Sequence, residues 1–153
     1  MPIRKKLRYK NYDYSQHGAY HIIIHTKDNR YLLCEIITEP GTVYHMLTEL
    51  GLTVVNEIEI MSNTYENIKV INYAVMPNHV HILIRNDTEP SQLAPTISRM
   101  IKQFKGSITK KVGISIWQRS FYDRIIRDEA EFYRVCGYIQ DNLKNWDIDV
   151  FYM

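Results

Sequence analysis

The sequence lacks the features that would mark a secreted, membrane-spanning or zinc-finger protein. Only two cysteines, Cys34 and Cys136, occur among 153 residues, far apart and in no CxxC pair, so a zinc finger and a disulfide framework are both excluded. No stretch approaches the roughly 18 to 20 consecutive apolar residues of a membrane span. The basic start has no apolar stretch before residue 20 and no small-residue cleavage site, so we expect a cytoplasmic protein without a secretory signal. Repeats and Gly/Ser linkers are also missing, which predicts one domain over residues 1–153.

The sequence has little net charge, but its basic and acidic residues are unevenly distributed. The 19 Lys and Arg residues and the 17 Asp and Glu residues give a net charge of +2, while many of the acids lie between residues 35 and 66. Any one basic cluster could be a solvated surface. Several clusters interleaved with many of the 12 tyrosines instead favour a polyanionic partner, since phosphates attract cations and bases stack on flat rings. The basic clusters are Arg4, Lys5, Lys6, Arg8 and Lys10; Arg99, Lys102, Lys105, Lys110 and Lys111; and Arg119, Arg124 and Arg127.

Hydrophobic periodicity predicts an α+β domain in the order β-α-β-β-α-β-α. Period-two, β-branched runs predict strands over residues 19–26, 70–75, 79–84 and 121–127, and apolar stripes at helical spacing predict helices over 43–61, 93–108 and 128–143. The turn Met76-Pro77-Asn78 joins the middle strands, Gly113 ends the second helix, and Asp128 with Glu131 caps the third. This is the ferredoxin-like (RRM-like) pattern, a four-stranded antiparallel sheet with two helices on one face and a C-terminal helix free to cover the other.

The strongest local chemical signal is His79-Val80-His81 on the third predicted strand. Side chains alternate along a strand, so both imidazoles project from one face, about 7 Å apart at the backbone, while Val80 points to the opposite layer. Two neutral imidazoles so placed can bind one divalent ion if a third ligand comes from elsewhere. The alternative is two histidines on a half-exposed strand. Other histidines, including His21 and His25, have no partner spacing and are interpreted as structural or exposed.

The last predicted helix places Tyr138 and Asn142 one turn apart, along one flank of its apolar stripe. If this helix lies on the histidine-bearing face of the sheet, a phenol and an amide oxygen reach the metal together. Such a site would set a nucleophile beside an electrophile. The alternative is that Tyr138 is an amphipathic edge residue.

Three sequence blocks, in order, resemble the HUH single-strand transposases with one catalytic tyrosine, especially the REP-associated tyrosine transposases and their IS200-like insertion-sequence relatives. The blocks are YAVMPNHVHILI (residues 73–84), the basic helix ISRMIKQFKG (97–106) and IWQRSFYDRIIRDEAEFYRVCGYIQDN (116–142). The resemblance implies that His79 and His81 are the metal-binding pair, that Tyr138 is the catalytic tyrosine and that Asn142 completes metal coordination.

The resemblance further implies a reaction. Mg²⁺ or Mn²⁺ would polarise a phosphodiester of hairpin-bearing single-stranded DNA, and Tyr138 would attack to form a 5′-phosphotyrosine intermediate that can be rejoined without ATP. What deprotonates Tyr138 stays open, with Glu131 and metal proximity as candidates. Relatives act either as monomers or as homodimers, and the sequence is compatible with both.

The residues predicted to contact DNA are Arg99, Lys102, Lys105, Trp117, Arg119 and Arg124. Trp117 could stack on an unpaired base, although an aromatic residue before a strand is more often a core anchor. Two other functions stay open. One is a non-catalytic, RRM-like module that binds single-stranded nucleic acid, and the other is a regulatory ferredoxin-like domain; neither would form a covalent protein–DNA adduct.

Overall fold

The computed structural model describes residues 18–87 and 96–141, which form a mixed α+β fold. Within these segments the strands and helices alternate largely as the periodicity predicts, with two additional strands. The elements are β1 (Gly18–His25), β2 (Cys34–Glu39), β3 (Thr42–Leu47), α1 (Glu49–Thr64), β4 (Ile68–Val75), β5 (His79–Asn86), α2 (Ile97–Val112), β6 (Tyr122–Ile126) and α3 (Glu129–Gln140). A 3-10 turn, Lys27–Asn29, follows β1.

Four strands form one sheet in the order β4-β5-β1-β6, and every pairing in it is antiparallel. The first and third strands of the predicted β-α-β-β-α-β unit are therefore the central pair, which is the ferredoxin-like arrangement. The predicted fold class is confirmed. Both β1 and β5 are thus hydrogen-bonded along both edges, and most of their residues are buried.

The hydrophobic core lies between one face of this sheet and the helices α1 and α2. Alternate residues of β1 and β5 contribute to it, and the apolar stripes of the two helices pack against them. Each buried aliphatic side chain contributes on the order of 1.5 to 3 kcal/mol. Its central members are Tyr20, Ile22, Ile24, Val80, Ile82 and Ile84 from the sheet, Val54, Ile58 and Met61 from α1, and Ile97, Met100, Ile101, Phe104 and Ile108 from α2.

The turn between β4 and β5 is the predicted one and is held by neighbouring backbone. The amide of Met76 donates to the carbonyl of His79 at 2.8 Å, and the carbonyl of Pro77 accepts from the amides of Leu32 and Leu33 at 2.9 and 3.0 Å. Thr26, which follows β1, donates its amide to the carbonyl of Asn78 at 3.0 Å, and its hydroxyl lies within hydrogen-bond distance of the carbonyls of Asn78 and Arg30. The start of β5 is therefore fixed against the end of β1.

The prediction that one helix covers residues 43–61 is wrong at its beginning. Residues 42–47 form β3, which pairs with β2 in a separate two-stranded sheet, and α1 begins only after Thr48. Gly41 adopts φ +77°, which the turn between the two strands requires and which glycine accepts without a steric cost. Residues 42–47 pair position by position with residues 34–39, so non-local pairing satisfies this backbone and overrides the coincidental helical spacing.

The remaining helix boundaries follow their capping residues. Thr96 accepts a hydrogen bond from the amide of Arg99 and so begins α2, and Gly113 ends it with φ +92°. Asp128 accepts from the amide of Glu131 at 2.8 Å and begins α3. Leu93 and residues 142–143, also predicted to be helical, lie outside the described residues. In the segments that the structure describes, no helix is both long and apolar enough to cross a membrane.

Candidate active site

Four histidines lie on the face of the sheet that points away from α1 and α2. In β5, His79 and His81 alternate with Val80 and Ile82, which are core residues. In β1, His21 and His25 alternate with core isoleucines in the same way, and the register sets His25 directly opposite His79. Because paired residues of antiparallel strands share a face, both strands contribute to one histidine cluster.

His79 and His81 face each other through their Nε2 atoms. Their Nε2 atoms are 3.1 Å apart, and the two rings are nearly perpendicular at 77°, with centroids 4.9 Å apart. Both side chains are fully buried. The second nitrogen of His79, Nδ1, lies 2.8 Å from Oδ1 of Asn78, which orients the ring. The pair is therefore fixed with two potential ligand atoms directed at one point.

His21 and His25 support this pair from β1. Nε2 of His21 lies 3.0 Å from Nδ1 of His81, and the two rings stack at 25° with centroids 5.2 Å apart. His25 stacks on His79 at 23° with a centroid distance of 5.4 Å. Interpreting these two histidines as having no partner was therefore wrong. Their four-residue spacing on a strand is the sequence signal that they share a face, but only the β1–β5 register shows what they contact.

Helix α3 covers the histidine face and brings Tyr138 to it within one chain. The ring of Tyr138 meets the ring of His81 edge-on at 84°, with centroids 5.6 Å apart. Asn72 of β4 lies on the same face and donates from Nδ2 to the carbonyl of Cys136 at 3.3 Å. The tyrosine is thus half-buried beside the histidine pair, and the turn of helix before it is bonded to the sheet.

The beginning of α3 is fixed to β6 through Glu131, which is 5% exposed. One carboxylate oxygen accepts from the amide of Arg127 at 2.9 Å, and the other pairs with the guanidinium of Arg124. Burial raises the pKa of Glu131, but the Arg127 amide, the Arg124 guanidinium and the charge of Arg134 outweigh it, so the pKa lies below its ordinary value of 4.5. The carboxylate is therefore charged at neutral pH and occupied in holding the helix.

The histidine pair fits one divalent ion. The two facing Nε2 atoms, 3.1 Å apart, are imidazole nitrogens that could both ligate such an ion when they present their lone pairs. Across residues 18–87 and 96–141, no group of three or more His, Cys, Asp or Glu side chains is arranged to hold a metal. Within these residues a further ligand would be of another kind, and the predicted one, Asn142, lies outside them.

The residues predicted to contact DNA fall into separate places. Lys102, Lys105 and Arg119 line a cavity of about 410 Å³ beside α2, together with Ser98 and Phe121. Arg99 is exposed on α2. Trp117 is 5% exposed and packs against Phe104 in the core, and Arg124 lies on the histidine face, paired with Glu131. The set therefore does not form one continuous surface.

Lys105 stabilises the loop that lines this cavity. Its Nζ donates to the carbonyls of Gln118, Arg119 and Ser120 at 2.8 to 3.2 Å, so it ties α2 to the loop that precedes β6. Burial lowers the pKa of Lys105 to about 8. Lys102 and Arg119, which are exposed, are better placed to reach a phosphate.

Comparisons with known proteins give one family match, one sequence relative and two solved structures of similar fold. A family model described as "Transposase IS200 like" matches residues 14–142. An uncharacterized protein of Haemophilus influenzae Rd is 28% identical over 172 aligned positions, which cover 98% of this chain and 93% of that protein. The structure of a REP-associated tyrosine transposase bound to a REP hairpin superposes with a TM-score of 0.65 at 18% identity, over 88% of this chain and 71% of the other. A candidate transposase from Deinococcus radiodurans R1 gives a TM-score of 0.51 at 17% identity, over 88% and 95%.

Proposed function

Because the chain belongs to the IS200-like transposase family, we propose that it cuts and rejoins single-stranded DNA through a covalent bond to Tyr138. Family membership confirms the resemblance of the sequence blocks and makes the protein a transposase, which is a DNA-cleaving enzyme. The observation that carries the finer proposal is the convergence of His79, His81 and Tyr138 on one sheet face of a single chain. A nucleophile beside a facing pair of metal ligands is the arrangement that phosphodiester cleavage needs.

His79 and His81 would hold Mg²⁺ or Mn²⁺ through their facing Nε2 atoms, with Asn142 as a further ligand. When bound, the ion supplies Lewis-acid polarisation of a phosphate oxygen and compensates the charge that develops there. The chain's own contribution is orientation. Asn78 and His21 fix the two imidazoles, while α3 fixes the phenol relative to them. Burial of the histidines excludes bulk water, which would compete with the phenol as a nucleophile.

Tyr138 performs the bond exchange. Its hydroxyl loses a proton and the phenolate oxygen attacks phosphorus, so a Tyr–O–P bond forms and the P–O3′ bond breaks, after which the released 3′ oxygen takes up a proton. The products are a 5′-phosphotyrosine and a free 3′-OH. The number of phosphodiester bonds is unchanged, so attack by a 3′-OH on the phosphotyrosine rejoins the strand without ATP. Because Glu131 is already bonded to Arg124 and Arg127, we favour metal proximity over Glu131 for lowering the barrier to deprotonation.

The proposed substrate is a single strand that folds into a hairpin. The REP-associated relative of similar fold was solved bound to a REP hairpin, and the exposed Lys102 and Arg119 offer cations for a DNA backbone. The histidine pair and Tyr138 meet within a single chain, so bringing these three residues together requires no partner subunit.

The alternative of a non-catalytic RRM-like module has less support from the described residues. Such modules stack bases on aromatic side chains of an open sheet face. Here the corresponding face carries histidines on its two central strands and is covered by α3. Bases would therefore meet histidines and a helix on this face rather than an open row of aromatic side chains.

The proposal is tested with a pool of single-stranded oligonucleotides that each carry a hairpin flanked by randomised unpaired bases. With Mn²⁺, strands labelled at the 3′ end should give an adduct that survives boiling in detergent, whereas strands labelled at the 5′ end should release a free fragment. Tyr138→Phe should abolish the adduct because it keeps the ring and removes the nucleophilic oxygen. Tyr133→Phe, on the same helix and 64% exposed, is the matched control and should retain activity.

Two results would count against the proposal. Adduct formation by Tyr138→Phe at the wild-type rate would assign the nucleophile to another residue. Binding of the pool without any covalent product, in the presence of Mn²⁺, would support the non-catalytic alternative.

A further inference from the structure

A chain of hydrogen bonds connects the histidine pair to residues on either side of it. Asn78 contacts Nδ1 of His79, Nε2 of His79 faces Nε2 of His81, and Nδ1 of His81 faces Nε2 of His21. Each link is 2.8 to 3.1 Å long and buried. A ring nitrogen can donate or accept but not both, so each link constrains the next.

The first link sets the direction. Asn78 presents Oδ1 to His79, while its Nδ2 lies 3.5 Å from the carbonyl of Asn29. An amide oxygen only accepts, so a neutral His79 carries its proton on Nδ1 and directs the lone pair of Nε2 at His81. Without an ion, His81 must then donate from Nε2, so its Nδ1 accepts a hydrogen bond from Nε2 of His21.

If His79 and His81 held an ion through their Nε2 atoms, the second half of this chain would have to reverse. Both atoms would then present lone pairs, so His81 would carry its proton on Nδ1 and donate a hydrogen bond from it to Nε2 of His21. All three rings stay neutral. His79 is unchanged, while in His81 and in His21 the ring proton moves from Nε2 to Nδ1 of the same ring. The side chain at position 21 must therefore be able to donate a hydrogen bond to Nδ1 of His81 in one state and to accept one from it in the other.

We infer that His21 is a positioning residue for the metal ligand His81: its Nε2 holds the Nδ1 of His81 and so lets Nε2 of His81 present a lone pair toward His79. The inference rests on the proposed function, because it assumes an ion at the histidine pair. His21 is 1% exposed and its ring is stacked on His81, so solvent does not readily replace it. It touches neither the ion nor DNA in this role and acts only through His81.

The experiment measures Mn²⁺ affinity of the full chain without DNA, from the free Mn²⁺ signal in electron paramagnetic resonance. His21→Leu keeps an apolar side chain of similar volume and removes the hydrogen bond, and should weaken Mn²⁺ binding about 10- to 100-fold. His21→Gln places an amide near the position of Nε2 and can either donate or accept, so its affinity should stay within a few-fold of wild type. His45→Leu, in the separate β2–β3 sheet, is the control and should bind as wild type does.

A second measurement does not depend on whether His21→Leu folds. In the wild-type chain, ¹⁵N NMR of the histidine rings should show His79 protonated at Nδ1 throughout, and His81 changing from Nε2–H to Nδ1–H when Mg²⁺ is added.

The outcomes separate the inference from the proposed function. Wild-type affinity in His21→Leu, equal loss in His21→Gln and His21→Leu, or His81 unchanged in its protonated nitrogen on binding would each overturn the role of His21 and leave the metal site in place. If the wild-type chain binds no Mn²⁺, both the metal site and the role of His21 are refuted.

Discussion

Substituting Glu131 by glutamine should test how α3, and with it Tyr138, is held on the sheet. The substitution keeps the volume of the side chain and removes its charge. The new side chain can still accept from the amide of Arg127 through its oxygen, but it directs NH₂ at the guanidinium of Arg124, so two donors face each other. The buried carboxylate is exchanged for a mismatched contact at the start of the helix.

The expected loss of stability follows mainly from the contact between Glu131 and Arg124, because the hydrogen bond from Arg127 is kept. A hydrogen bond to a charged group contributes about 1.5 to 3 kcal/mol when buried, but the guanidinium of Arg124 is 44% exposed, so water recovers part of that loss. We expect Glu131→Gln to lower the free energy of unfolding by about 2 kcal/mol. For a chain of this size that corresponds to a fall in Tm of about 4 to 8 °C.

Thermal unfolding followed by circular dichroism at several pH values is the assay, and Glu129→Gln is the matched control. Glu129 lies in the same first turn but is exposed, so its loss should cost only about 0.5 kcal/mol of helix-dipole energy. Because the pKa of Glu131 is depressed in the folded state, its contribution is fully present above its unfolded pKa near 4.5 and disappears as the pH falls through the folded value. The gap between wild type and Glu131→Gln should therefore close in acid. Equal destabilisation by both variants, or a gap that persists well below the folded pKa, would refute this account of the helix anchor.

Two further tests concern how the helices α1 and α3 are packed. Gly51→Ala would place a Cβ 2.0 Å from the carbonyl oxygen of Leu33, so in urea unfolding it should lower the free energy of unfolding by about 1 to 3 kcal/mol. Gly106→Ala, at an open position of α2, should instead raise that free energy by about 1 kcal/mol, and a change in the same direction for both variants would contradict the packing of α1. Asn72→Ala removes the hydrogen bond to Cys136 and should speed amide hydrogen exchange in the last turns of α3, while unchanged exchange there would mean that this bond does not hold the helix.

Much of the fold could be predicted because its signals are local. The turn Met76-Pro77-Asn78 and the helix ends at Gly113 and Asp128 each depend on a few neighbouring residues, and all three are confirmed. The β2–β3 hairpin was missed because residues 43–47 fit a helical stripe as well as a strand. That choice is decided by pairing with residues 34–39, a non-local contact that periodicity does not report.

The candidate site divides in the same way. That His79 and His81 share a face follows from strand alternation alone, and the structure agrees. The presence of His21 at the site depends on the β1–β5 register, and the approach of Tyr138 depends on which face α3 covers, so neither follows from the local sequence. The catalytic and metal-binding roles of these residues, including that of Asn142, stay predictions.

The β-bulge in β4 has a consequence for how chains of this family can differ in length. Val70 pairs with Ile84 and Asn72 with Leu83, so Ile71 is an extra residue without a place in the ladder, and it is partly exposed. Val70 faces the core, and Asn72 faces α3. Removing Ile71 would restore simple alternation and leave both neighbours on their present faces. A one-residue gap at this point therefore keeps the side-chain alternation of β4, and an alignment that forbids it would misplace Asn72, which is bonded to α3, by one position.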